Sequence, residues 1–157
     1  MSTHRTAEAN GAAPALSPAD LIGTWTLVSW IQRRGDVDIE PMGRAPVGAI
    51  VYTADGHVSV SIMRRDRPRM VSGDFISADA AEKAIAFDGY LGYFGRYELQ
   101  GGDVVHRISS ASFPNWVGDS QRRTPRLEGD LLSLQAAPRI VDGVAVSASL
   151  VWRKSVD

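Results

Sequence analysis

The sequence predicts an all-β domain of about eight antiparallel strands, joined in chain order and closed into an up-and-down barrel, with one short α-helix. Three observations carry that expectation. Runs rich in β-branched and aromatic residues alternate with period two along most of the chain. Short links bearing glycine, such as Ala54-Asp55-Gly56, Gly101-Gly102-Asp103 and Gly129-Asp130, separate neighbouring runs and favour hairpins. Only Ser77 to Asp88 carries both a helix start and a helix stop. Two stacked sheets would satisfy the same pattern. Closure is preferred because it removes sheet edges and leaves an eight-stranded barrel room for one small ligand.

Taken in order, Met1 to Pro18 is rich in Ala, Ser and Pro and lacks a continuous apolar segment. It reads as a disordered leader, residues 1–18, before a single domain over residues 19–157. Ser17 caps a short helical turn with Pro18 at its first position, and Gly23 releases the chain into a strand. From Thr24 to Gln32, strict alternation puts Trp25, Leu27, Ser29 and Ile31 on one face and Thr26, Val28 and Trp30 on the other. Arg33 to Val47 is a loop punctuated by Gly35, Pro41, Gly43 and Pro46.

Gly48 to Thr53 and His57 to Met63 form a hairpin around Asp55-Gly56, and Arg64 to Gly73 is a polar connection. The helix starts at Ser77 as N-cap and ends at Gly89. Its modest apolar side (Ala81, Ala84, Ile85, Phe87) suits a position against a sheet or across an opening. Strands follow at Leu91–Leu99, Val104–Ser112, Gln121–Glu128, Leu131–Gln135 and Val144–Arg153.

Composition narrows the function. The chain has 157 residues, 44% of them hydrophobic and 22% charged, enough for one domain with its own core. A formal net charge of -1 offers no electrostatic case for nucleic acid or an anionic membrane, and Arg64 to Arg69 reads as a solvated basic loop. Without cysteine, disulfides and thiolate chemistry are excluded. His4, His57 and His106 lie far apart, no nucleotide-binding or Ser-His-Asp motif occurs, and no cofactor or metal is expected. No apolar run approaches bilayer length, so a cytoplasmic protein is expected.

Several segments together resemble a known family. Gly23-Thr24-Trp25 is the Gly-x-Trp pattern that opens lipocalins and their relatives, and Trp152-Arg153 resembles the C-terminal basic residue that packs over that tryptophan. Leu21 to Trp30, Pro46-Val47-Gly48, Tyr93-x-Gly95-x-Tyr97, Val105-His106, Pro114-Asn115-Trp116-x-Gly118 and Gln121-Arg122 are similar to the bacterial lipocalin-like domain family. The resemblance runs from about Leu21 to Arg153. It implies a calycin-type barrel around an apolar cavity. Members occur as stand-alone bacterial proteins, some in natural-product pathways, where related small barrels act as cyclases or isomerases. Arg107 stands where some relatives carry a second histidine beside the equivalent of His106.

His106 lies mid-strand among apolar residues; on an inward face it is the candidate general acid or base, otherwise a structural histidine. Tyr93 and Tyr97 share a face with Gly95 and are candidates to stack on a ligand or donate to its oxygen, or to pack the core. Asn115 and Trp116 form a candidate lid, or a plug for one barrel end. Arg122 inward would bind a carboxylate or phenolate, and Gln121 inward a carbonyl; only one of those parities fits a regular strand. Trp30 is a candidate cavity residue, while Trp25 reads as core at the closed end.

Two functions suit this inventory. One is a cofactor-free isomerase, cyclase or dehydratase acting on a hydrophobic, polyketide-like molecule, with His106 as acid/base and Tyr97, Asn115 or Arg122 polarising an oxygen. The other is a carrier that holds such a ligand unchanged. Strand edges or the helix's apolar side offer a route to a homodimer.

Overall fold

A computed structural model describes residues 15–156; the expected leader falls mostly on residues 1–14, outside the described residues. Leu16 already packs against the core. Helix α1 (Pro18–Leu21) follows, its first turn pinned by the Asp20 carboxylate, which accepts from the Ser17 backbone N–H and hydroxyl, each at 2.8 Å. The strands are β1 (Gly23–Arg34), β2 (Val37–Ile39), β3 (Val47–Tyr52), β4 (His57–Met63), β5 (Tyr90–Gln100), β6 (Asp103–Ala111), β7 (Ser120–Glu128), β8 (Leu131–Val141) and β9 (Val144–Lys154). Helix α2 (Ala80–Asp88) precedes β5, and a 3-10 turn (Pro114–Trp116) precedes β7.

Every neighbouring pair is antiparallel, and β9 returns to pair with β1, which closes an eight-stranded barrel. The added strand β2 folds back on the end of β1, from Gln32↔Ile39 to Arg34↔Val37. It lies in the stretch expected as loop, because three exposed residues after a glycine turn leave no alternation to read. Helix α2 begins at Ala80 and not at Ser77: Asp79 is the N-cap, accepting from the Glu82 N–H. No α2 residue is buried.

One barrel end is plugged. Trp25 is 2% exposed, with its indole N–H donating to the Leu21 carbonyl at 2.8 Å, and it packs with Leu21, Ile50, Tyr52, Val58 and Leu132. The basic residue over its ring is Lys154, Nζ 4.5 Å from the ring centroid, and not Arg153, which turns outward to Asp130 at 3.3 Å. Lys154 also donates to the Ile22 carbonyl. Gly23 makes room for it: a Cβ there would lie 2.7 Å from Nζ, on a backbone with φ +122°. A Lys154→Met variant keeps the apolar stem and loses the cation, at a cost of about 1–2 kcal/mol. Thermal melting should register this as a fall of several degrees; an unchanged midpoint would show the contact to be idle.

Interruptions in the ladders decide which residues face inward. In β1 the pairing with β9 shifts between Leu27 and Ser29, so Val28 bulges and the inward set changes from Trp25 and Leu27 to Trp30 and Gln32. Strict alternation had put Trp25 and Trp30 on opposite faces; the bulge brings both inside. A second shift, between Phe94 and Gly95, leaves Ser109 of β6 unpaired. A third lies in β8 between Ala136 and Arg139, around Pro138, which has no N–H to give a ladder. The pairing with β9 resumes at Arg139, so β8 runs to Val141, six residues beyond the expected end at Gln135.

Candidate functional site

The other half of the barrel is hollow. A cavity of about 350 Å³ is walled by apolar side chains (Ile50, Val60, Ile62, Leu91, Leu134, Leu150) together with Trp30, Trp116 and Trp152. Its polar members are Gln32, Tyr93, His106, Gln121, Arg123 and Asp119, with Ser120, Ser147 and Arg139 near the mouth. A mostly apolar wall with a few placed polar groups is the usual make-up of a small-molecule site.

His106 sits in this wall, 1% exposed, on the inward face of β6 with Val104 and Ile108. Both ring nitrogens are engaged: Nε2 lies 2.8 Å from the Tyr52 hydroxyl and Nδ1 lies 2.7 Å from the Tyr93 hydroxyl. Burial, with the Arg123 guanidinium adding to it, pushes the imidazole down to about 3, so the ring is neutral at pH 7. A neutral imidazole has one donor and one acceptor nitrogen.

Burial then fixes the direction of the hydrogen bonds. Tyr52 is 1% exposed and its hydroxyl has no other partner among the described residues. An unpaired buried O–H is costly, so Tyr52 donates to Nε2. The proton therefore sits on Nδ1 and is donated to the Tyr93 oxygen. Tyr93 keeps its own O–H, with no acceptor among the described residues, in a side chain that lines the cavity. The chain Tyr52→His106→Tyr93 thus ends in a free donor. Burial raises both phenols, Tyr93 to about 12 and Tyr52 well above its ordinary value, so both stay protonated.

The expected site residues divide. Trp30, Tyr93, His106, Trp116 and Gln121 meet at the cavity. Trp116 stands edge-on to Tyr93, ring centroids 6.0 Å apart, and edge-on to Phe113 at 5.6 Å. Tyr97 does not reach it. Four residues nearer the plugged end, it gives its hydroxyl proton to the Thr53 carbonyl at 2.9 Å and packs edge-on against Tyr52. Asn115 is exposed on the 3-10 turn and absent from the cavity wall.

Arg122 also borders the cavity. Its side chain is exposed and pairs with Asp103 at 3.1 Å and with the Gln100 side-chain oxygen at 2.9 Å. Gln121 has the inward parity, so the inward arginine is Arg123. Sequence reading missed two members of the constellation. Tyr52 passed as a strand residue, though it alternates with Ile50 into the core. Arg123 shares the Gln121 face by alternation, but nothing in its residue type sets it apart from Arg122. Among the described residues, no group of three or more His, Cys, Asp or Glu is placed to hold a metal ion. No helix there is long and apolar enough to cross a membrane.

An eight-stranded meander, plugged at the Gly-x-Trp end and hollow at the other, is a calycin-type barrel. The lipocalin-like domain model matches residues 22–155, and the chain belongs to that family. It is also 32% identical over 106 residues, covering 62% of this chain and 96% of the relative, to the 4'-hydroxy-3'-methoxypropiophenone carrier protein of Aspergillus oryzae.

Proposed function

We propose that this protein binds one small, flat, hydrophobic ligand of natural-product type in the barrel cavity, with the Tyr93 hydroxyl donating to a ligand oxygen. The observation that carries this reading is the Tyr52→His106→Tyr93 chain, which turns an unpartnered O–H toward a cavity walled largely by apolar side chains. The similarity to a carrier of an aryl ketone supports it, because a ketone offers an acceptor to such a donor. Trp30 and Trp116 supply flat apolar surface.

A catalytic reading, an isomerase or cyclase working on the same ligand, is favoured by one feature: the donor is backed by an imidazole able to relay a proton. His106 would then act only through Tyr93, since its own nitrogens are both engaged and it is held neutral. A free base poised at neutral pH, which enolisation needs, is missing from that pair. The geometry therefore favours a carrier.

One experiment tests both. Calorimetry with 4'-hydroxy-3'-methoxypropiophenone should show binding, weakened roughly tenfold in Tyr93→Phe, the worth of one neutral hydrogen bond. Propylbenzene, which has no oxygen, should bind both forms alike and controls for packing damage. Equal ketone affinity in the two forms would sink the donor assignment. In D2O, NMR should find exchange of the ketone's α-protons no faster than in buffer; acceleration by wild type that Tyr93→Phe abolishes would establish the catalytic reading instead.

A further inference from the structure

The β7–β8 ladder is incomplete. It pairs from Thr124↔Gln135 to Glu128↔Leu131 and goes no further toward the open end. Beyond that point β7 is bonded only to β6, from Val104↔Arg123 to Arg107↔Ser120, and β8 only to β9. The two strands part where β8 carries its bulge and Pro138. Residues on both sides of the gap, Ser120 to Arg123 and Ala136 to Arg139, line the cavity. A shallow outer groove shares Ala136, Ala137, Pro138, Ser147 and Ala148 with it, so the wall is thin there.

Arg123 stands at this gap with an unusual set of partners. Nη2 donates to the Gln121 side-chain oxygen at 2.8 Å and Nη1 to the Arg122 carbonyl at 2.9 Å. Its remaining N–H groups have no partner, and no carboxylate lies within ion-pair distance among the described residues. A guanidinium withdrawn from water without a counter-charge is costly. Burial and the nearby Arg139 both weaken its hold on the proton. Arg139, exposed on the opposite side of the gap, is a second cation without an ion-pair partner among the described residues. The one acidic residue on the wall, Asp119, is exposed, and its carboxylate accepts from the Ser120 N–H. The mouth is thus positive, and its donors exceed its acceptors.

We infer that the gap between β7 and β8 is an anion subsite, in which Arg123, with Arg139 opposite, holds an anionic oxygen of the ligand while the ligand's apolar body fills the barrel. The inference rests on the cavity being a ligand site. Its chemistry is that of a carboxylate or a phenolate: either supplies the missing counter-charge to a planar, pre-oriented guanidinium. Gln121, inward as the carbonyl reading required, works as a positioning residue that aims Arg123. Tyr93 then serves a second, neutral oxygen deeper in the cavity.

Matched probes test this by calorimetry at pH 8: 4-propylbenzoate against 4-propylbenzyl alcohol, and 4-hydroxypropiophenone against its methyl ether. Wild type should prefer at least one anionic member roughly tenfold. Arg123→Gln should reduce that preference to within about threefold by weakening the anion and leaving the neutral partner unchanged. Arg139→Gln, at an exposed position, should lower the preference about twofold to threefold, and it decides the matter if Arg123→Gln does not fold. Preference in the first pair alone identifies a carboxylate, and in the second alone a phenolate. Neutral probes bound as tightly as anionic ones would overturn the anion subsite while leaving the cavity reading intact. A preference undiminished in both variants would overturn it too. Failure of all four probes to bind would remove the cavity reading itself.

Discussion

Gly95→Ala should destabilise the protein by about 3 kcal/mol or more, lowering the melting midpoint by roughly 10 °C for a chain of this size. The cause is the closeness of two backbones. A Cβ at Gly95 would fall inside the van der Waals envelope of the Arg107 carbonyl oxygen, 2.8 Å from its carbon and 3.1 Å from the Ile108 Cα. Backbone atoms cannot swing aside as a side chain does, so the β5–β6 ladder must part where its register shifts. Tyr93 lies two residues before the glycine and His106 two before Ile108, so the variant should also lose the Tyr93–His106 contact. Chemical denaturation checks the first effect, with Gly73→Ala, which meets nothing within 4 Å, as the neutral control. A Gly95→Ala protein melting within 2 °C of wild type would refute this account.

That glycine also marks where the sequence stops being legible. Hairpins, the plugged end and the inward face of β5 follow from local chemistry: Asp55-Gly56 turns, Trp25 needs a core, and Tyr93 and Tyr97 alternate around Gly95. The inward faces of β1 and β8 do not follow, because each contains a bulge whose position depends on the partner strand. Val28 and Ala137 look like ordinary strand residues, yet the bulge at Val28 carries Trp30 to the face that Trp25 uses. The same limit applies to β7, where Arg122 and Arg123 are equivalent by residue type and only parity separates an exposed ion pair from a half-buried inward cation. Distance along a strand matters as well. Tyr93 and Tyr97 share a face, but four residues put one at the cavity and the other beneath it, bonded to Thr53. Tyr52 was invisible for a different reason: its role comes entirely from a partner 54 residues away.

The second large effect is acid sensitivity traced to one residue. His106 binds protons with a pKa of about 3 in the folded protein against 6.5 as the ordinary value. The group's folded pKa is depressed, so the unfolded state takes up a proton first. Its contribution is fully present above pH 6.5 and is lost as the pH falls toward 3. Over the whole window the loss is on the order of 4 kcal/mol, and from pH 7 to 5 about 2 kcal/mol, before most carboxylates titrate. The chemistry is specific. An imidazolium donates from both nitrogens, so protonation would leave the Tyr52 hydroxyl, which now gives its proton to Nε2, without an acceptor in the core. His106→Gln keeps one donor and one acceptor between the two tyrosines but cannot gain that charge. Urea unfolding at pH 7, 6 and 5 should therefore show wild-type stability falling by about 2 kcal/mol more than that of His106→Gln, whatever their difference at pH 7. Parallel losses in the two proteins would mean that His106 is not held neutral, and the hydrogen-bond direction that leaves Tyr93 a free donor would fall with it.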